Sequence, residues 1–404
     1  MLILRIEKFG GIIFNTANGH EIWLKNQLFE KIKTILQTRD NVLIKEDDVS
    51  KVFQELEIKK IPNYTIVPQT SDINNQNPFV VLNSPIIADI NITEKCNLHC
   101  GHCYINSSKN GRHMPLADFE HVLEECRKIG ITQIALGGGE PTLHPDFPKI
   151  LKKIHDANIV PNLTTNGYSM KWRTIYAIAR YAGAIALSVE NIDADFEKRR
   201  GFPFATFEKN ILKLKTAGVK IVFQITISES NLKTINSTIA YLKKYQPYGF
   251  LFLAYKPQGR GLNFDKTLSE IKQSDIKKNI GRIFTHADKK TKIGFDCCLT
   301  PALMDMDIEN KKSFQGCTAS RTSLAIMPNL DVMPCSFISK TVRFPNLRKN
   351  TLQEIWHGEF FDDFRKKIKR KTDQKICSTC SNKNICLGGC PEFTLTNCDL
   401  SSKD

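Results

Sequence analysis

The chain has 404 residues, a size that favours two or three domains over one core, and its 41% hydrophobic and 25% charged content marks it as globular. A net charge of +15 attracts polyanions, yet the densest basic run, Arg365 to Lys371, has no interleaved aromatics and reads as a solvated helix end, not a nucleic-acid patch. No apolar run approaches the length of a membrane span and the N-terminus has no signal-peptide pattern, so a cytoplasmic protein is expected, where 13 cysteines point to metal or catalysis, not disulfides.

In chain order, LILRIEKF reads as a strand, Gly10-Gly11 as a turn, and IIFN as a second strand; Ala17-Asn18-Gly19 then turns into EIWL. Together these suggest a small β-meander. Amphipathic helices follow near 26–37 and 47–57, with a further strand at 66–68 and a polar linker, QTSDINNQNP, over 69–78.

From about 85 to 260, strand and helix patterns alternate. Strands are expected at 86–92, 132–136, 159–164, 184–189, 219–227 and 249–255, with helices between them such as 116–129 and 206–217. Six βα units imply an α/β fold with a parallel sheet, open or partly closed into a barrel. Beyond about 290 the periodicity fades and nine cysteines appear. The expected division is therefore 1–84, 85–290 and 291–404. Cys126 shares a helical face with Phe119, Val122, Leu123 and Ile129 and reads as core.

Cys96, Cys100 and Cys103 directly follow the first βα strand, which puts them at the C-terminal rim of the sheet, where α/β enzymes place their chemistry. Three thiolates on one loop can hold three irons of a cubane and leave the fourth iron open. A zinc site completed by His99 or His102 is the alternative that spacing leaves standing.

The CxxxCxxC spacing resembles the radical S-adenosylmethionine (SAM) superfamily. Gly138-Gly139-Glu140-Pro141 after the second strand resembles that family's GGEP motif. Its glycines would admit close backbone approach, and Glu140 or nearby carbonyls would accept from the SAM amino group. Thr165-Asn166-Gly167 resembles the TNG turn, Ser188 ends the fourth strand where the family has a serine, and Arg200 is placed to bind the SAM carboxylate. Pro257-Gln258-Gly259-Arg260 resembles the PxGR turn near the adenine. His102 departs from the family's aromatic at that place, with Tyr104 just beyond, and Glu190-Asn191 replaces the usual acidic-glycine step.

Cys317, Cys335, Cys377, Cys380, Cys386, Cys390 and Cys398 resemble the seven-cysteine SPASM domain, which holds two auxiliary 4Fe–4S clusters. The resemblance implies that Cys317, Cys335 and Cys390 hold the first and Cys377, Cys380, Cys386 and Cys398 the second. Cys298 is the best candidate for the missing fourth ligand and Cys297 the next, unless the site is open; either could alternatively be a thiol hydrogen donor. Where the family has a glycine between Cys317 and Cys335 this chain has Leu330, and Asn329 is expected to take over the turn.

The implied fold is a partial (βα)6 TIM-like barrel with a small N-terminal α+β, winged-helix-like domain and a Cys-rich C-terminal SPASM domain. The implied activity is reductive SAM cleavage and hydrogen abstraction from a peptide, installing a thioether or other crosslink. The first 67 residues look like a PqqD-like recognition element that would bind a precursor's leader by strand addition. A flavodoxin or ferredoxin would supply electrons. The alternatives are haem or cofactor synthesis, sulfatase maturation, and a zinc-binding adaptor.

Overall fold

A computed structural model describes residues 1–39, 47–68, 79–304, 306–308, 311–338, 343–396 and 398. The expected linker at 69–78 lies outside the described residues.

The N-terminal sheet contains β1 (Leu2–Glu7), β2 (Gly10–Asn15), β3 (Glu21–Lys25) and β4 (Tyr64–Val67) in the order β3-β2-β1-β4. The first three form the expected meander, and β4 lies parallel to β1. Helices Asn26–Thr38 and Asp47–Glu55 cover it, burying Phe29, Ile32, Leu36 and Phe53 against Leu2, Leu4 and Ile13. Alternating apolar positions on the strands and a 3.6-residue period on the helices produce that one-sided core. Buried Arg5 ties this unit to the next: its guanidinium donates to Glu7, to Ser84 Oγ at 2.7 Å and to the Pro85 carbonyl at 2.8 Å. The Glu7 carboxylate in turn accepts the Asn83 amide at 3.0 Å.

Among the described residues the second sheet has nine strands. β5 (Ile87–Thr93), β6 (Gln133–Gly138), β7 (Val160–Thr165), β8 (Ile185–Ser188), β9 (Ile221–Ile227) and β10 (Gly249–Ala254) are the six expected from alternation, in sequential parallel order. Three short strands were not legible. β11 (Lys292–Phe295) adds parallel to β10, while β12 (Ser323–Ile326) adds parallel to β5 and carries antiparallel β13 (Val332–Met333). The sheet runs β11-β10-β9-β8-β7-β6-β5-β12-β13 with two free ends, so it is an open, partial barrel extended at both edges by the C-terminal region. Apolar faces of helices such as Leu116–Lys128 and Phe204–Thr216 pack on its outside, and Cys126 is fully buried there, as expected.

Two local readings change. Leu330, not Asn329, takes the left-handed backbone (φ 68°), and Asn329 instead braces the turn by accepting the Asp331 amide. Burial of the Leu330 side chain offsets a conformational cost of about 1–2 kcal/mol. In the basic run, Arg365 is buried: it donates to the carbonyls of Ser320 and Trp356 at 2.7 and 2.6 Å and lies over the Trp356 ring, so it anchors helix Glu359–Lys371. Lys366, Lys367 and Lys369 keep the expected solvated face.

Candidate active site

Within the partial barrel, every second residue of a strand faces inward. Ile87, Asp89 and Asn91 of β5, Ala135 and Gly137 of β6, Thr164 of β7, Gln224 and Thr226 of β9, and Leu251 and Leu253 of β10 therefore line one cavity of about 430 Å³. That volume suits a small ligand. Cys96, Cys100 and Cys103 lie at its rim on the loop after β5.

The cysteine loop is held by backbone contacts. Cys96 donates its amide to Ser108 O at 2.8 Å, and the Leu98 amide points at the Cys96 sulfur at 3.4 Å. Burial pushes the Cys96 thiol up to about 11 and raises that of Cys100, so metal binding must supply the energy to form the thiolates.

Gly138 and Gly139 press against this loop. Gly138 has φ 114°, and a Cβ there would meet Thr93 O at 2.1 Å; one on Gly139 would meet Lys95 O at 2.2 Å. The next residue, Glu140, turns inward. Its carboxylate accepts from Thr142 Oγ1 (2.6 Å), Thr165 Oγ1 (2.7 Å) and the Asn166 amide (2.8 Å), and burial raises its pKa. Glu140 thus ties the end of β6 to the end of β7, and neither it nor Pro141 lines the cavity. The cavity-facing groups of that motif are the glycines. Asn166, which Glu140 holds, does line it, and its side-chain amide donates to Asn97 Oδ1 at 2.9 Å beside the Cys96 sulfur.

Ser188 and Arg200 also line the cavity. Arg200 is gripped at two points by Glu190, with Nε 2.8 Å from Oε2, and its carbonyl lies 3.9 Å from the Cys100 sulfur. Burial works against the Glu190 carboxylate, but Arg200 and its other cationic neighbours outweigh it and hold its pKa below the usual value. His102, the residue outside the family pattern, belongs to this cluster. Its Nε2 is 3.7 Å from Glu190, and its ring packs against Phe264 with centroids 5.9 Å apart. Burial lowers its pKa to about 4. His99 is exposed.

Gly259 (φ 63°) lets the next loop close on the cluster loop, because a Cβ would meet Tyr104 O at 2.5 Å and Cys103 O at 2.7 Å. Arg260 then donates to Cys100 O at 3.0 Å and Ser107 O at 2.5 Å. Arg260, not Gly259, reaches the cavity.

Sequence reasoning missed Asp89, Lys256, Ser336 and Phe337 on the cavity wall. Asp89 accepts from Ser336 Oγ at 3.1 Å, and burial pushes its carboxyl up to about 6. Lys256 pairs with Asp296, and its ammonium sits 4.3 Å over the Phe337 ring. A polar Asp-x-Asn on alternate positions of an apolar strand was the available signal for Asp89.

The remaining cysteines fall into two groups. Cys297, Cys298, Cys317, Cys335 and Cys390 lie in one neighbourhood, and Cys377, Cys380, Cys386 and Cys398 in another. Neither Cys297 nor Cys298 lines the cavity, where a hydrogen donor to a radical formed there has to stand.

These residues fit the implied groups. The donors are sulfur, which suits iron–sulfur clusters. His99 is exposed, the His102 imidazole faces Glu190 at the cavity wall, and Gly138 and Gly139 let the end of β6 pack against Thr93 and Lys95 beside the three thiols, where any Cβ would clash with backbone.

Comparison with known proteins agrees. Residues 90–242 match the Radical SAM superfamily, and residues 317–381 match SPASM, an iron-sulfur cluster-binding domain. The AdoMet-dependent heme synthase of Methanosarcina barkeri is 27% identical over 77% of this chain and 92% of its own length. The PqqA peptide cyclase of Ruegeria pomeroyi is 24% identical over 78% of this chain and 84% of its own. Streptococcus suis SuiB bound to precursor peptide SuiA superposes with a TM-score of 0.75 at 20% identity, covering 98% of both chains. The chain thus carries a radical SAM core and a SPASM domain. Among the described residues no helix is long and apolar enough to cross a membrane.

Proposed function

We propose that this radical SAM enzyme binds a 4Fe–4S cluster on Cys96, Cys100 and Cys103 and modifies a ribosomally made precursor peptide, forming a thioether or other crosslink. The observation that carries the reading is the meeting of three thiols, two glycines and a buried cation around one cavity inside the partial barrel.

When bound, the reduced cluster supplies the electron that cleaves the SAM sulfonium to a 5′-deoxyadenosyl radical. The chain's own residues do the rest. Arg200 offers positive charge to the SAM carboxylate, and Gly138 and Gly139 let backbone carbonyls approach its amino group. Asn166 and Ser188 give polar contacts on the facing wall. Leu251, Leu253 and Tyr255 exclude water from the radical, and Asp89 and Lys256 orient a polar substrate group. Cys377, Cys380, Cys386 and Cys398 hold one auxiliary cluster, and Cys317, Cys335 and Cys390 supply three ligands of the other. An acidic flavodoxin or ferredoxin in a reducing cytoplasm suits the basic chain as electron donor.

The N-terminal sheet supports a peptide substrate. β3 and β4 are its edges, and an extended leader adds to such an edge by main-chain hydrogen bonds, as the PqqD-like reading implies. The likeness to SuiB extends over this unit, whereas the curated relatives align with about three quarters of the chain. Haem or cofactor chemistry is the second reading, favoured by the heme synthase relative. Mass spectrometry of a small peptide encoded beside this gene, co-expressed with and without the enzyme, decides between them. Loss of two hydrogens supports a crosslink; an unmodified peptide that also fails to bind the full chain rejects the peptide reading.

A further inference from the structure

The N-terminal unit and the SAM cavity lie at opposite ends of the partial barrel. The turn at 16–20 closes over a second cavity of about 410 Å³, whose other walls include residues that open strands: Val160 of β7, Lys220 before β9, Tyr248 before β10 and Lys292 of β11. Cys96, Cys100 and Cys103 instead follow the end of β5. A leader held by the N-terminal sheet therefore reaches the SAM cavity only by crossing the length of the strands.

The edge of the barrel offers a route. Among the described residues β11 is the last strand on its side of the sheet. The Lys292 amide donates to Tyr248 O at 3.0 Å and the Asp296 amide to Phe252 O at 2.8 Å, so the alternate amides and carbonyls, those of Ile293 and Phe295, point away from β10. A groove of about 1160 Å³ borders all four consecutive residues of β11. A sheet face presents only every second residue, so this groove follows the strand's edge. Phe284, Phe295 and Phe314 cluster in its wall, with ring centroids 5.2, 6.5 and 6.2 Å apart. At one end Lys292 lines both the groove and the second cavity. At the other, Asp296 pairs with Lys256 of the SAM cavity wall.

The start of the route is cationic. The Lys220 and Lys292 ammoniums lie 5.6 and 4.9 Å from the centroid of the Tyr248 ring. No carboxylate lines the second cavity, and neither lysine has an acidic partner among the described residues. Two cations around one ring without a counter-charge suit an acidic occupant.

We propose that the edge of β11 is a track for the precursor peptide, in which an extended segment pairs with Ile293 and Phe295 while acidic residues on its leader side lie at Lys220 and Lys292. The proposal rests on the peptide reading above and adds the path. Main-chain hydrogen bonds to a strand edge give affinity, and the phenylalanine wall selects apolar side chains at alternate positions. Because a leader precedes the segment that is modified, the peptide runs from the N-terminal unit towards the SAM cavity, parallel to β11.

Hydrogen–deuterium exchange tests the track on the full chain, reconstituted anaerobically with SAM, with and without the small peptide encoded beside this gene. Exchange over 292–296 should slow when the peptide is added. Lys220→Glu/Lys292→Glu should weaken peptide binding by about tenfold, an effect that shrinks at high salt. Its peptide-independent 5′-deoxyadenosine formation should match wild type, which shows that the variant is folded. Lys220→Gln/Lys292→Gln, which removes the charge without reversing it, should give a smaller loss in the same direction. Peptide binding that leaves exchange over 292–296 unchanged, or that neither variant weakens, overturns the track and leaves the peptide reading standing. Slower exchange there with rising protein concentration alone makes the edge an interface between two copies and overturns the track as well. A peptide that does not bind the full chain overturns both.

Discussion

Glu190 and Arg200 form a two-point ion pair buried against the cysteine loop, with Arg200 Nε 2.8 Å from Glu190 Oε2 and the Arg200 carbonyl 3.9 Å from the Cys100 sulfur. The pair links the loop after β8 to the end of helix Asp193–Arg200, whose last carbonyl meets the cysteine loop. It also keeps a cation at the cavity wall, where a bare guanidinium would be costly to bury.

Removing one partner leaves the other charge unpaired. Glu190→Ala should cost about 3–5 kcal/mol of stability, read as a fall in the denaturation midpoint, and should also weaken SAM binding. Glu190→Gln should cost less because the amide oxygen can still accept one hydrogen bond. An unchanged midpoint in Glu190→Ala would show that Arg200 finds another partner.

The contact between Gly259 and the cysteine loop predicts a cluster phenotype. Gly259→Ala forces a Cβ to within 2.7 Å of Cys103 O, and Arg260→Ala removes the bonds to Cys100 O and Ser107 O. A hydrogen bond from a charged donor contributes about 1.5–3 kcal/mol. Both variants should lose iron from the first site faster in air than wild type while retaining auxiliary iron. Equal loss from all sites would point to global unfolding instead.

Glu140 should act through Asn166. Glu140→Gln puts an amide where four donors converge, so SAM affinity should fall by about tenfold, equivalent to about 1.4 kcal/mol, with iron content unchanged. Equilibrium binding of SAM to the reconstituted protein measures it. Loss of iron without loss of affinity would contradict the assignment.

Asp89 gives a pH signature. Its folded pKa is raised to about 6, against an ordinary value of 3.8. The favourable contribution is therefore full below the unfolded value and is lost as pH rises through about 6. Asp89→Asn should leave stability unchanged at pH 4 and raise it at pH 7, with an upper bound of about 3 kcal/mol. Clusters carrying negative charge act in the same direction. A wild-type minus variant difference that does not change between the two pH values would remove the claim.

Much of this was legible beforehand, for reasons the residues supply. Strong apolar alternation located β5 to β10 to within a residue or two, and motif spacing located Cys96, Cys100, Cys103, Gly138, Gly139, Asn166, Ser188 and Arg200, all of which reach the cavity rim or wall. β11 and β12 have four residues each and β13 two, too few for a period to register. The roles of Glu140 and Gly259 were displaced by one layer, because a motif names a neighbourhood while tertiary hydrogen bonds decide which of its atoms face inward. Arg365 looked like a solvated charge until Ser320, 45 residues away, and Trp356 of the preceding helix supplied carbonyls to bury it.

The most direct test is 5′-deoxyadenosine formation by the anaerobically reconstituted chain with SAM and dithionite, compared with Cys96→Ala, Cys100→Ala and Cys103→Ala. The account predicts formation by the wild-type chain and none by any of the three variants, each of which should still bind iron at its auxiliary thiols. A wild-type chain that takes up zinc but no iron, or variants that cleave SAM as well as the wild type, would contradict it.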